Sequence, residues 1–246
     1  FYTERFDNYW FSTGTPTFLI KFIKETKSNV TGFENIEVDN TLFDSYDIEN
    51  IDILSLLFQT GYLTVKGIKP VGTRRKYTLS YPNEEVKESF LKYILAGFAE
   101  STTTVLGSRI LGMVEHLLNH KIDEFFSVMK SIFASIPYNI FIEDRESYYH
   151  TVIYLILSLV GISIDSELQT NKGRIDAVIE TETGIYIMEF KLGGPDEALD
   201  QVVEKKYYEK YQARKKPVIL VGVGFDMESK NISAYKTKEL KDIPKL

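Results

Sequence analysis

Cysteine is absent from the 246 residues. That excludes disulfides and thiolate metal sites, and leaves packing alone to hold the fold, as suits a reducing cytoplasm. Histidine is scarce, with three in the chain, which leaves little for a zinc site. No apolar run approaches the ~20 residues that span a bilayer, and the N-terminus lacks the basic-then-apolar order of a signal peptide. A cytoplasmic location is therefore expected. No GxxxxGK[ST] phosphate loop occurs, so no ATP site can be assigned to these residues. An excess of positive charge is missing too: 29 Lys and Arg stand against 35 Asp and Glu, for a net charge of −6. Gripping nucleic acid needs a basic surface, so any such surface here must be local. The chain also begins at Phe1 rather than Met and reads as a piece of something longer.

What is present is the composition of an ordinary globular protein, 43% hydrophobic and 26% charged, with 16 Tyr and 16 Phe. The length allows one substantial core or two small ones. The stretch that organises the chain is GRIDAVIETETGIYIMEFKL, Gly173 to Leu192. Ile175, Ala177 and Ile179 alternate with Asp176, Val178 and Glu180, and Ile185 to Leu192 is rich in β-branched and aromatic residues. With Thr181 to Gly184 as the loop, antiparallel pairing sets Glu180 against Ile185, Val178 against Ile187, and Asp176 against Glu189. Lys191 then shares the face of Glu189, whereas Met188 and Phe190 point the other way.

Two like charges side by side on an apolar sheet face destabilise it by up to ~1 kcal/mol, and more where the neighbours are apolar. A divalent cation between the carboxylates would compensate, with hard oxygen ligands suiting Mg²⁺ or Mn²⁺, and Lys191 could orient or help deprotonate a water. The structural alternative is a salt bridge of Lys191 with Glu189 or Asp176.

Asp176, twelve intervening residues and then Glu189-Phe190-Lys191 resemble the bipartite D…ExK signature of the PD-(D/E)XK nuclease superfamily. The flanking segments SYYHTVIYLILSLVG, SELQTNKGR and EALDQVVEKKYYEKY resemble the superfamily domain found behind AAA-ATPase-like domains in many bacterial proteins. YWFSTGTPTFLI resembles the tail of such an ATPase-like domain. The resemblance implies further roles. A carboxylate on the first helix, here Glu146 with His150 one turn on, would complete the metal site. Glu167 would occupy an acidic position ahead of the GRID motif. Gln201 would be a polar group near the site. Lys205 and Tyr208 follow Gln201 along one helical face, but Lys at 205 departs from the Q-x-x-x-Y form of RecB-like relatives and leaves the roles of Tyr207 and Tyr208 open.

The remaining chain falls into three regions. Residues 1–83 hold a helix beginning between Thr13 and Pro16, with an apolar stripe of Phe18, Leu19, Phe22 and Ile23, followed by a winged-helix-like order. That order is a strand (IEV), helices at Thr41–Tyr46 and Ile51–Gln59, and strands YLTVKG and RKYTLSYP. Asp47, Glu49 and Asp52 around the would-be recognition helix carry the wrong sign for phosphate, whereas Arg74, Arg75 and Lys76 on the wing carry the right one. A lid or docking role is the alternative to DNA binding there. Residues 84–136 read as amphipathic helices NEEVKESFLKYILAGF, SRILGMVEHLLNHK and DEFFSVMKSIFAS, with Asn83 or a neighbouring residue as a cap and Glu84 and Glu85 in the first turn. His116 and His120 are spaced to share a helix face, without an evident third ligand. The break at Pro137 to Asn139 opens the third region, 137–246. It comprises a buried helix ending at Gly161, the strand SIDSELQT, the hairpin, a helix from Pro195 through Lys216, the buried strand VILVGVGFD and the edge strand NISAYKTKEL.

The expected fold class is thus α/β (α+β): a winged-helix-like and helical N-terminal region, then a nuclease-like αβββαβ core with a mixed sheet. The expected function is Mg²⁺- or Mn²⁺-dependent hydrolysis of DNA phosphodiesters by a hydrolase domain of a larger AAA-ATPase-like protein. Asp176, Glu189, the Phe190 carbonyl and Glu146 would hold the metal, and Lys191 and Gln201 would serve the reaction. Lys205, Lys206, Lys210 and Arg214, with Lys215 and Lys216, form a candidate phosphate-facing patch, with a solvated helix face as the equal alternative. The rival expectation is a catalytically silent nuclease fold used for nucleic-acid binding or protein docking.

Overall fold

The computed structural model describes residues 15–26, 32–44, 52–137, 145–160, 164–170 and 173–243, with side chains described at 17–25, 32–43, 52–137, 149–160 and 177–243. The chain forms two compact units, Phe1–Gly97 and Phe98–Leu246.

The first unit contains α1 (Thr15–Thr26), β1 (Ile36–Val38), α2 (Thr41–Asp44), α3 (Ile53–Gln59), β2 (Thr64–Val71), β3 (Arg74–Ser80) and nearly all of α4 (Glu84–Phe98). Its antiparallel sheet has the order β1-β3-β2. Phe90 of α4 centres an aromatic cluster with Phe33, Tyr62 and Tyr81, at ring separations of 6.0, 5.2 and 5.8 Å. The expected Asn83 cap is present, Asn83 Oδ1 accepting from the Val86 N–H at 2.9 Å. Asp47, Glu49 and the end of the expected helix to Tyr46 lie outside the described residues. Asp52 has a structural role: it is the N-cap of α3, its carboxylate accepting from the Ser55 N–H at 2.9 Å. This satisfies a helix N–H that would otherwise lack a partner. Arg74 and Arg75 begin strand β3, since the reversal is confined to Gly72 and Thr73.

The second unit contains α5 (Thr103–Leu118), α6 (Ile122–Ala134), α7 (Arg145–Val160), β4 (Ile164–Thr170), β5 (Gly173–Glu180), β6 (Ile185–Leu192), α8 (Pro195–Glu204), β7 (Val218–Asp226) and β8 (Asn231–Glu239). Helix α5 begins well before the expected Ser108, since Thr102 caps it by accepting from the Val105 N–H at 3.2 Å. From α7 to β7 the order is the expected αβββαβ, and the sheet order is β4-β5-β6-β7-β8. Strands β6 and β7 pair in parallel while the other described pairs are antiparallel, so the sheet is mixed.

The two faces of this sheet are packed differently. On one, Tyr186, Phe190 and Phe225 meet the helices α5 to α7. Phe225 lies 4.7 Å from the Tyr149 ring and 5.4 Å from Phe133, while Tyr186 donates to the Leu117 carbonyl at 2.8 Å. On the other, Val178, Ile185, Ile187, Val218 and Leu220 pack with Val202 of α8 and with Tyr207, Tyr208 and Tyr211 beyond it. Strand β7 is buried almost throughout, as its continuous apolar sequence requires.

Helix α8 ends at Glu204, well short of the expected Lys216. Lys206 adopts φ 51°, its N–H donates to Val203 O at 3.1 Å, and Tyr207 N–H donates to Val202 O at 3.3 Å. This pair of bonds is a Schellman ending, formed with lysine where glycine is the usual signal. It turns the three tyrosines into the core, so Gln201, Lys205 and Tyr208 do not continue along one helical face.

Candidate active site

The hairpin pairs in the expected register, with Glu180 opposite Ile185, Val178 opposite Ile187 and Ala177 opposite Met188. Its loop explains the register. The buried Thr181 hydroxyl donates to Gly184 O at 3.0 Å and accepts from the Gly184 N–H at 2.8 Å and the Thr183 N–H at 3.1 Å, while the Thr181 N–H reaches Gly184 O at 2.8 Å. The described pairing stops one position short of Asp176 and Glu189. On the other side of β5, the pairs Ser166–Ala177 and Leu168–Ile175 flank the positions of Glu167 and Asp176. The side chains of Asp176, Glu167 and Glu146 lie outside the described residues; their backbones belong to β5, β4 and the first turn of α7.

Glu189 is 4% exposed, on the α8 side of the sheet. Gln201 Nε2 of α8 donates to its Oε1. Burying a carboxylate in this setting is costly unless donors or a cation attend it. Lys191, two residues on, shares that face at the strand end and is partly buried. Met188 and Phe190 face the opposite side, as the alternation requires.

Two glycines that were not singled out in the sequence make this arrangement possible. Gly222 of β7 pairs with Glu189 and Gly224 with Lys191. A Cβ on Gly222 would stand 2.3 Å from Pro195 O and 2.4 Å from Leu199 N, and one on Gly224 would stand 2.3 Å from Gly193 O. Their missing side chains let the start of α8 rest directly on the backbone of β7, which brings Gln201 over Glu189. The signal was available: glycines two apart in VGVGFD point to one face of a strand.

At the strand ends Lys191 lines a cleft with Tyr149, His150, Ile153, Phe190, Leu192 and Phe225. Tyr149 donates to Asp226 O at 3.3 Å, which anchors the N-terminal half of α7 there. His150 is thus beside Lys191, one turn along α7 from Glu146. Asp226, in turn, is held below the usual carboxylate range by hydrogen bonds from Ser229 and Glu228.

Residues 144–235 match the family model described as the PD-(D/E)XK nuclease superfamily. The segment is thus similar to nucleases of that superfamily. The matched segment begins at the entry to α7 and ends within β8, so it contains the whole αβββαβ order, and the mixed sheet is compatible with that fold. Over almost its full length, 98%, the chain is 32% identical to an uncharacterized protein in the vnfD 5' region of Azotobacter chroococcum mcd 1. The alignment covers 48% of that relative, so the chain spans about half the length of the curated protein it matches. No solved structure matches the chain.

Other candidates lie elsewhere. His116 is in the last turn of α5, but His120 lies beyond its end with φ 57°, its Nδ1 3.2 Å from the Tyr186 hydroxyl. The two therefore do not share a helix face, and among the described residues no group of three His, Cys, Asp or Glu could hold a metal. Tyr207 and Tyr208 are core residues. In the basic cluster Lys216 is engaged, 3.4 Å from Glu180 Oε1 and 2.7 Å from Thr181 O. Lys210 lies over the Tyr211 ring at 4.8 Å, while Lys205, Arg214 and Lys215 are exposed and Lys206 is half-buried. For a metal, the donor chemistry fits: a buried carboxylate and main-chain carbonyls are hard oxygen donors suited to Mg²⁺ or Mn²⁺. Among the described residues, no helix is long and apolar enough to cross a membrane.

Proposed function

We propose that the second unit is a metal-dependent hydrolase of DNA phosphodiesters. The observation that carries this reading is the buried Glu189 carboxylate, held by Gln201, with Lys191 two residues on along the same face of β6. Glu189, Asp176, the Phe190 carbonyl and Glu146 would hold Mg²⁺ or Mn²⁺. When bound, such an ion supplies electrophilic polarisation of the phosphodiester. The chain's own groups do the rest. Gln201 fixes the orientation of the Glu189 carboxylate. Lys191 aligns the attacking water and places positive charge against the phosphate oxygens as negative charge builds in the transition state.

Within the same proposal the first unit is a winged-helix-like module, supported by its order α1-β1-α2-α3-β2-β3 and by its sheet order. The parent protein would carry an AAA-ATPase-like domain, supported by the resemblance of YWFSTGTPTFLI, and would work in the cytoplasm. The test is a cleavage assay on single- and double-stranded DNA with Mg²⁺ or Mn²⁺, comparing the unaltered chain with Lys191→Ala. Cleavage that disappears in EDTA and in Lys191→Ala, with the melting curve unchanged, is expected. Equal cleavage by the variant would overturn the mechanism.

A further inference from the structure

The β2–β3 hairpin of the first unit is an arm of concentrated positive charge in an acidic chain. Between Lys66 and Ser80 it carries Lys66, Lys69, Arg74, Arg75 and Lys76 and no acidic residue. Strand β1 pairs with β3 only from Val38–Tyr77 to Ile36–Leu79, so the outer pairs, Lys69–Lys76, Pro70–Arg75 and Val71–Arg74, form a two-stranded ribbon beyond the sheet. Register places Lys69, Val71, Arg74 and Lys76 on one face, and Ile68, Pro70 and Arg75 on the other. Cations therefore lie on both faces.

The acids that face the arm leave it mostly uncompensated. Glu37 of β1 pairs with Lys76 at 2.5 Å, and Lys66 Nζ donates to Pro82 O at 2.8 Å. Asp39, lowered mainly by hydrogen bonds from Thr41, feels Arg74 only at a distance. Among the described residues Lys69, Arg74 and Arg75 make no ion pair; Lys69 sits opposite Lys76, and Glu37, which binds Lys76 and attracts Lys69 more weakly, offsets part of that repulsion and leaves Arg74 and Arg75 uncompensated. Ile68 and Val71 are exposed at 57% and 58%, an apolar content that a purely solvated loop does not need.

We propose that this arm binds double-stranded DNA, entering a groove tip first with Lys69, Arg74 and Arg75 against the phosphates. A two-stranded β-ribbon fits the major groove, and cations on both of its faces can reach both walls. An acidic protein partner would also attract the charge, but a ribbon with cations on either side suits a groove better than a single opposing surface.

The test uses the whole chain and a short fluorescein-labelled DNA duplex in EDTA, so it can be read whether or not the second unit cleaves DNA. Anisotropy is followed from about 50 to about 200 mM KCl. The triple variant Lys69→Gln, Arg74→Gln, Arg75→Gln should lower the log–log salt slope by about 2.7, so that its affinity falls roughly fortyfold less across that range. The variant Arg74→Lys, Arg75→Lys keeps the charge and should keep the slope. An unchanged slope in the triple variant overturns the proposal, as does loss of binding on neutralising Lys205, Lys210 and Arg214 with the arm intact. Absence of duplex binding by the unaltered chain at the lowest salt overturns it as well.

Discussion

Strands β6 and β7 present two faces built from the same alternating sequence and used in opposite ways. Toward α5, α6 and α7 they place Tyr186, Phe190 and Phe225 against Tyr149 and Phe133, filling the space with rings. Toward α8 they begin with Ile185, Ile187, Val218 and Leu220 and then switch to Glu189 and Lys191 beside Gly222 and Gly224. The aromatic face stabilises through area and shape. The glycine-bearing face gives up side-chain volume at its outer end, and what it gains is close approach of a helix that carries a polar group onto a buried carboxylate. In the proposed function, the pleat of a single pair of strands separates stability from chemistry.

That separation can be broken most forcefully by crossing it. Phe225→Ala should cost about 3–5 kcal/mol in urea denaturation, whereas Lys191→Ala should change stability by less than about 1 kcal/mol and remove cleavage. If both variants lost stability alike, the division between the faces would fail. Next in size, Gly222→Ala should destabilise by about 3 kcal/mol, because the added carbon meets backbone rather than a movable side chain. Gly112→Ala on α5, where nothing lies within 4 Å of the new carbon, should gain up to ~1 kcal/mol. Comparable effects at the two glycines would show that α8 does not rest on β7 as described.

A smaller effect is expected at the junction of helix and carboxylate. Gln201→Ala should reduce cleavage by about ten- to a hundredfold with little change in stability, read from initial rates beside a melting curve. Smaller still is an effect of pH on the aromatic face. Burial pushes the Tyr186 hydroxyl up to about 12 from 10. A raised folded-state value favours the neutral form, so this contribution is fully present below pH 10 and is lost as the pH rises toward 12. Tyr186→Phe should cost about 1 kcal/mol at neutral pH through its lost hydrogen bonds and flatten the fall in stability across that alkaline window.

The parts of this molecule legible in its sequence are those fixed by short-range rules. The hairpin register followed from strand alternation and a four-residue loop, which Thr181 closes with its own hydroxyl. The αβββαβ order followed from the same alternation and from breaks at Gly193, Gly194 and Pro195. What was misread depended on backbone choices with weak sequence marks. Lys206 adopts the left-handed conformation usually left to glycine, so α8 ended where composition suggested it would continue. His120 takes that conformation past the end of α5, which separates it from His116. Asp52 looked like surface charge and is a helix cap. That Glu189 and Lys191 share a face followed from strand alternation, but the role of Gly222 and Gly224 needed the register of β7 against β6 and the position of α8.

The central claim is that the glycine-bearing face ends in a divalent-cation site, and calorimetric titration with Mn²⁺ in the absence of DNA tests it most directly. The unaltered chain should release or absorb heat with saturation at one site, and Asp176→Ala combined with Glu189→Ala should show none while retaining its melting curve. Saturable binding that survives in the double variant, or no binding by the unaltered chain at millimolar Mn²⁺, would contradict the account.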